Sequence, residues 1–192
     1  MGLIRHNHEA LHVSSPQPCD AVSAAGAPSD GTQLAASLLD AWRGEQDVNK
    51  CEALIAAIAA SQDAARTDAL MRIVEEGDAA SRNFAILAWQ GLPAHEVLRG
   101  ASLLESAHAD ARVLALSVLQ AAPGRDVEPL LIGLLSTEAD VNVCAAAVEL
   151  VAECGTRAAS PALLAARERF AGNEFVAFAI DQALRQTGAG NE

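Results

Sequence analysis

The chain has 192 residues and a formal net charge of −12, so its surface repels the phosphate backbones and anionic lipids that a basic protein would grip. Apolar residues make up 51% and aromatic residues only 3%, with no tyrosine, which is enough to bury a core but leaves little to stack on nucleic-acid bases. An alanine- and leucine-rich chain of this kind suits closely packed helices and not a β-sandwich, and no stretch reaches the ~20 apolar residues of a membrane span.

Residues 1–31 carry Pro16, Pro18, Pro28, Gly26, Gly31 and several serines, and read as a flexible tail. Within it His6, His8 and His12 stand close together around Glu9. On a helical turn His8 and His12 share a face, so two imidazoles and a carboxylate would hold zinc or nickel weakly. The alternative is a tail that happens to contain three histidines.

From Thr32 onward a helical period returns ten times. The predicted helices are 32–43, 48–60, 64–76, 79–92, 94–106, 110–122, 126–136, 140–153, 158–170 and 174–187, each with apolar residues spaced by three and four, such as Val176, Ile180 and Leu184 in the last. No segment alternates with the period of a strand. Asp47, Asp63, Asp78, Asp126 and Asn173 are expected as caps of the helices that follow. Gly77, Gly124, Gly155, Gly172 and Gly188 are expected as left-handed helix ends, and Pro93, Pro129 and Pro161 near helix starts. Breaks every ~15 residues with short connections predict antiparallel helix pairs.

The pairs repeat. Ala65, Val97, Pro129 and Pro161 follow one another at 32-residue intervals. In the second helices, the stretch Ser81–Trp89 aligns with Ala111–Leu119, Val143–Val151 and Val176–Leu184, with Val48 as a weaker fifth start. Gly124, Val127, Pro129, Leu130 and Leu134, followed by Val143, Ala147, Val151 and Gly155, resemble a HEAT-like repeat of the short, phycobilisome-lyase type. That pattern's arginine is present at Arg82 and Arg112 and replaced by Cys144 and Ala177. The resemblance spans roughly 47–188. It implies an all-α, right-handed α-solenoid of about five antiparallel helix pairs, of the HEAT-like or armadillo-type superhelix, with a repeat domain over 32–188 and a disordered end at 189–192. Repeat units of this sort bury their apolar stripes only against one another.

No order of Ser, His and Asp, no phosphate-cradling loop and no carboxylate pair points to catalysis. Cys51, Cys144 and Cys154 lie in apolar helix patterns and read as small core residues; with Cys19 they form no CxxC, and with no secretory leader in view they read as reduced thiols of a cytoplasmic protein. Trp89 reads as core, while Trp42 sits in the first helix with one neighbour missing. The acidic residues Glu75, Glu76, Asp78, Glu105, Asp110, Glu128, Glu138 and Asp140 read as solvated or capping groups, or as a rim that steers a basic partner. Arg82 and Arg112 are expected either to pair with an acid such as Asp78 or Asp110 between repeats, or to line the inner face.

The expected function is a non-catalytic scaffold or adaptor, an accessory protein of bacterial type, that binds a protein partner, with a basic segment as one form of it. Nucleic acid and membrane insertion are not expected, and the oligomeric state is left open. Arg82, Arg112, Asn142, Glu149 and Asp181 on the second helices are the expected partner contacts. No cofactor is expected beyond a weakly held divalent metal at His6, His8 and His12. The alternatives are a cofactor-attachment factor, by likeness to the lyases, and a metal-handling accessory factor.

Overall fold

The computed structural model describes residues 33–188, and among them it is all-helical with no strand. Ten α-helices follow in order: α1 Gln33–Gly44, α2 Val48–Ala60, α3 Arg66–Glu76, α4 Ala79–Gln90, α5 Ala94–Val97, α6 Ala109–Leu119, α7 Gly124–Thr137, α8 Val141–Cys154, α9 Ser160–Arg169 and α10 Glu174–Gln186. The fifth predicted helix is only α at its start and continues as a 3-10 stretch, Leu98–Glu105. Gly100, a poor helix former, lies at its centre and is buried, and a Cβ there would stand 3.1 Å from a methyl of Val118 on α6. The segment thus trades α-helical winding for a close approach to α6.

The helices pack as five consecutive pairs. The substantial contacts join the two helices of a pair or helices of adjacent pairs: α2, α4, α6, α8 and α10 each lie against the next, as do α1 and α3, and α7 and α9. One pair has too little surface to bury its own apolar stripes, so each leans on its neighbours. The core is correspondingly a spine in two parts. One runs from Ala35 to Leu70, Trp89 and Val97, the other from Val127 to Leu150, Leu163 and Ile180. They meet at α6, which gives Ala115 and Val118 to the first and Leu116 and Leu119 to the second.

Several caps stand as the spacing predicts. Asp47 accepts from the N–H groups of Asn49 and Lys50, Asp78 from Ser81, and Asn173 from Val176. Two do not. Asp126 lies inside α7, which begins at Gly124. Asp63 is buried and reaches back to the first turn of α1, where it accepts from the Ala35 N–H at 2.8 Å while also accepting from Ala65 N–H. It fastens the first pair to the second.

The glycines also depart from expectation. Among the described residues only Gly188 has a positive φ, +80°. Gly77 and Gly155 end their helices in extended conformations, and Gly124 opens α7 where it presses on Cys154, a Cβ there falling 2.8 Å from the Cys154 Cβ. Close contact, not left-handed geometry, explains Gly124. Pro129 is interior to α7 and removes the N–H that Arg125 would otherwise receive. Ala65, Val97, Pro129 and Pro161 hold different positions in their helices, because the connecting turns vary in length.

The second helices keep a strict register instead. Their third residues are Lys50, Ser81, Ala111, Val143 and Val176, so the first repeat aligns at Lys50 and not at Val48. Their fourth residues are Cys51, Arg82, Arg112, Cys144 and Ala177.

A buried ion pair joins pairs two and three. Arg66 on α3 makes a bidentate contact with Glu96 on α5 and donates to the Ala59 and Ser61 carbonyls at the end of α2. Thr67 Oγ1 donates to the same carboxylate, and both charged side chains are only 13% exposed. The Arg66 hydrogen bonds outweigh the opposing effect of burial and hold the Glu96 carboxyl down to about 2 from 4.5. A depressed carboxyl stabilises the fold fully above 4.5 and loses that contribution as pH falls toward 2. The expected result is a loss of about 3 kcal/mol across that window, seen in acid titrations of unfolding free energy and flattened by Glu96→Gln. An identical acid limb in the variant would contradict the assignment.

Candidate docking surfaces

The turn inside three of the pairs is built from the same triplet: Glu45-Gln46-Asp47, Glu76-Gly77-Asp78 and Glu138-Ala139-Asp140. In each, the aspartate caps the following helix. In the first and last, the glutamate also accepts from the two N–H groups after it: Glu45 from Gln46 and Asp47, Glu138 from Ala139 and Asp140. Glu138 is buried, and Arg112 donates to it from Nε and Nη2, both at 2.8 Å, while Arg112 Nη1 donates to the Ser106 carbonyl. Burial pushes the Glu138 carboxyl up, but Arg112 and the Asp140 and Ala139 N–H groups more than offset this and leave it below its usual value. Arg112 therefore couples pairs three and four through Glu138, not through Asp110. Glu128, likewise buried, accepts from the Thr156 N–H at 2.5 Å and from its hydroxyl at 2.9 Å, so neither glutamate belongs to a solvated rim. The triplets recur at 31 and then 62 residues, a spacing visible in the sequence that the helical stripes alone do not bring out.

The other expected contact residues fall in different places. Asp181 is tied to Arg167 of its own pair at 2.6 and 3.1 Å. Asn142 is exposed in the first turn of α8, its N–H given to Asp140. Arg82 lies in a groove between α4 and α6. Glu149 is exposed and lines a groove of about 360 Å³ between α8 and α10.

That last groove holds the most distinctive surface of the chain. Phe175 and Phe178, three apart on α10, are 68% and 64% exposed, in a protein with four phenylalanines in all. They miss the Val176–Ile180 stripe that α10 buries. The same groove is lined from α8 by Glu149, Ala152 and Glu153, the two glutamates four apart, and from α10 also by Gln182. Neither glutamate has an ion-pair partner within 4 Å among the described residues. Glu153 lies in the last turn of α8, where the helix dipole disfavours an anion. An exposed aromatic pair beside two unneutralised carboxylates is suited to a cationic, partly apolar ligand.

The remaining polar groups offer less. Cys51 and Cys144 are buried and Cys154 partly so, and burial pushes all three thiols up, Cys144 to about 11, the opposite of what a nucleophile requires. Trp89 is fully buried and its indole N–H donates to the Glu96 carbonyl. Trp42 is also buried, and its indole nitrogen has no partner among the described residues. His6, His8, His12 and Cys19 lie outside the described residues. Among the described residues no cluster of three or more His, Cys, Asp or Glu has metal-binding geometry, and no helix is long and apolar enough to cross a membrane.

The fold and grooves define an all-helical protein of consecutively stacked helix pairs. Comparison with protein-family models, with curated proteins and with solved structures finds no match to this chain.

Proposed function

We propose that the chain is a HEAT-like α-solenoid, with antiparallel pairs, that works in the cytoplasm as a non-catalytic docking module, and that the α8–α10 groove takes a basic, amphipathic segment of a partner protein. The consecutive packing of helix pairs supports the solenoid reading, since in such arrays the row of second helices forms an extended binding face. The single observation that carries the docking reading is the exposed pair Phe175 and Phe178 in one groove with Glu149 and Glu153. Phenylalanines held out in water cost solubility unless something covers them, and the two carboxylates say that the cover is cationic. A helix with leucines at i, i+3 and i+4 and lysines at i and i+4 of the flanking face presents that chemistry.

The test is calorimetric titration of the full chain with such a peptide. Phe178→Ala should weaken binding about ten-fold, as loss of an interface anchor does. The double charge reversal Glu149→Lys with Glu153→Lys should weaken it further and remove its salt dependence. A peptide that binds all three proteins equally would refute the proposed docking site.

A further inference from the structure

We propose that the groove between α4 and α6 is a second, separate site, which binds a carboxylate group on Arg82. Its basis is a comparison of the chain with itself. Arg82 and Arg112 are the fourth residues of α4 and α6. Arg112 receives a carboxylate from the next turn, Glu138, and Glu138 and Asp140 together accept four N–H groups at the start of α8: those of Ala139, Asp140, Asn142 and Val143. The turn that faces Arg82 is Ser106-Ala107-His108. It keeps the central alanine of Glu138-Ala139-Asp140 but has Ser106 in the place of Glu138 and His108 in the place of Asp140. Ser106 Oγ accepts only the His108 N–H of that set, at 3.2 Å, and no side chain caps α6.

Arg82 lacks a bonded acid of the kind its counterpart has: Asp78, at the cap of the same helix, feels its charge but makes no ion pair with it within 4 Å. Its Nε is buried with no hydrogen-bond partner, its one hydrogen bond is a long one from Nη2 to the Glu75 carbonyl, 3.5 Å, and it makes no ion pair within 4 Å among the described residues. A buried guanidinium nitrogen without an acceptor is costly, and a planar carboxylate satisfies it bidentately. The groove, about 430 Å³, has Val74 and Leu114 in its wall beside Arg82, so the carboxylate is one carried on a small apolar body. Glu75 and Asp110 also border the groove and oppose an anion, which makes Arg82 and the uncapped start of α6 the groups that set affinity. A free aliphatic acid and the C-terminal residue of a polypeptide share this chemistry.

The experiment titrates the full-length ¹⁵N-labelled chain with hexanoate, with a short peptide ending in leucine with a free carboxylate, and with the same peptide as its C-terminal amide. Saturable shifts at Arg82, Ser106 and Ala111 are expected with at least one carboxylate, and about ten-fold weaker binding of the amide. Hexanoate binding assigns the site to free acids, and binding of the peptide alone assigns it to chain termini. Arg82→Gln should weaken binding about ten-fold, whereas Arg125→Gln, which removes an exposed charge elsewhere, should not. Ser106→Glu supplies the missing acid within the chain, and should both block the carboxylate and raise the thermal midpoint. Circular dichroism confirms that each variant is folded, and Arg82→Gln decides the question if Ser106→Glu is not. No shifts with either carboxylate, or wild-type affinity in Arg82→Gln, would overturn the site. Because none of these variants touches the α8–α10 groove, this failure would leave the peptide-docking result intact.

Discussion

Glu138→Ala is expected to destabilise the protein by about 3–5 kcal/mol, the usual consequence of removing one partner from a buried ion pair. The Glu138 side chain is 4% exposed and that of Arg112 15%. The alanine variant strands the Arg112 guanidinium with only its bond to the Ser106 carbonyl, and leaves the Ala139 and Asp140 N–H groups without the acceptor they share. The same loss need not follow when both charges go, because the penalty comes from the orphaned partner and not from the value of the pair itself. Glu138→Leu combined with Arg112→Met should therefore recover much of the stability lost in either single variant. Arg43 and Glu76 form a bidentate contact of similar geometry but with side chains 44% and 41% exposed, and Glu76→Ala should cost far less. Denaturant unfolding of the wild type and these variants measures this. Equal losses at positions 76 and 138 would show that burial does not set the strength of these turns.

Trp89→Ala is expected to cost a comparable amount, about 3–5 kcal/mol, for a different reason. Trp89 is wholly buried on α4 and belongs to the part of the core that runs through pairs one to three. Its ring lies near Gly100, where a Cβ would meet it at an ordinary contact distance of 3.8 Å. Truncation opens a cavity the size of an indole at the joint between pairs two and three, and the Glu96 carbonyl loses its donor at 2.8 Å. Trp89→Phe separates the two effects: it refills most of the volume but removes the indole donor from the carbonyl, and should cost clearly less than alanine. The check is again the unfolding free energy. A loss in Trp89→Phe as large as in Trp89→Ala would place the cost in the hydrogen bond instead of the cavity.

Most of the helical layout is legible in the sequence because its cause is local. Stripes such as Val176, Ile180 and Leu184 mark the buried face of a helix whatever lies beyond it, and the caps Asp47, Asp78 and Asn173 act within their own turns. Errors arise where the deciding contact is distant. Asp63 looks like a cap for α3, but its carboxylate serves a helix that begins 30 residues earlier. Gly124 looks like the end of α6, but Cys154, against which it packs, fixes it at the start of α7. Glu128 and Glu138 read as surface acids because nothing in their own helices shows that Thr156 and Arg112 close over them. The surface residues divide in the same way. Glu149 is exposed, whereas Arg112 and Asp181 face partners within the chain. Phe175 and Phe178 were open to inference, since both fall off the stripe that α10 buries, but the carboxylates in their groove come from α8, and only the packing of the two helices brings these together.

The docking account is tested most directly by ¹⁹F spectra of the chain carrying fluorinated phenylalanine, which has four reporters: Phe84, Phe170, Phe175 and Phe178. Titration with the lysine–leucine amphipathic helix should shift or broaden the Phe175 and Phe178 signals together and saturably, leaving Phe84 and Phe170 in place. Uniform small changes at all four, or a response confined to Phe84 and Phe170, would contradict it.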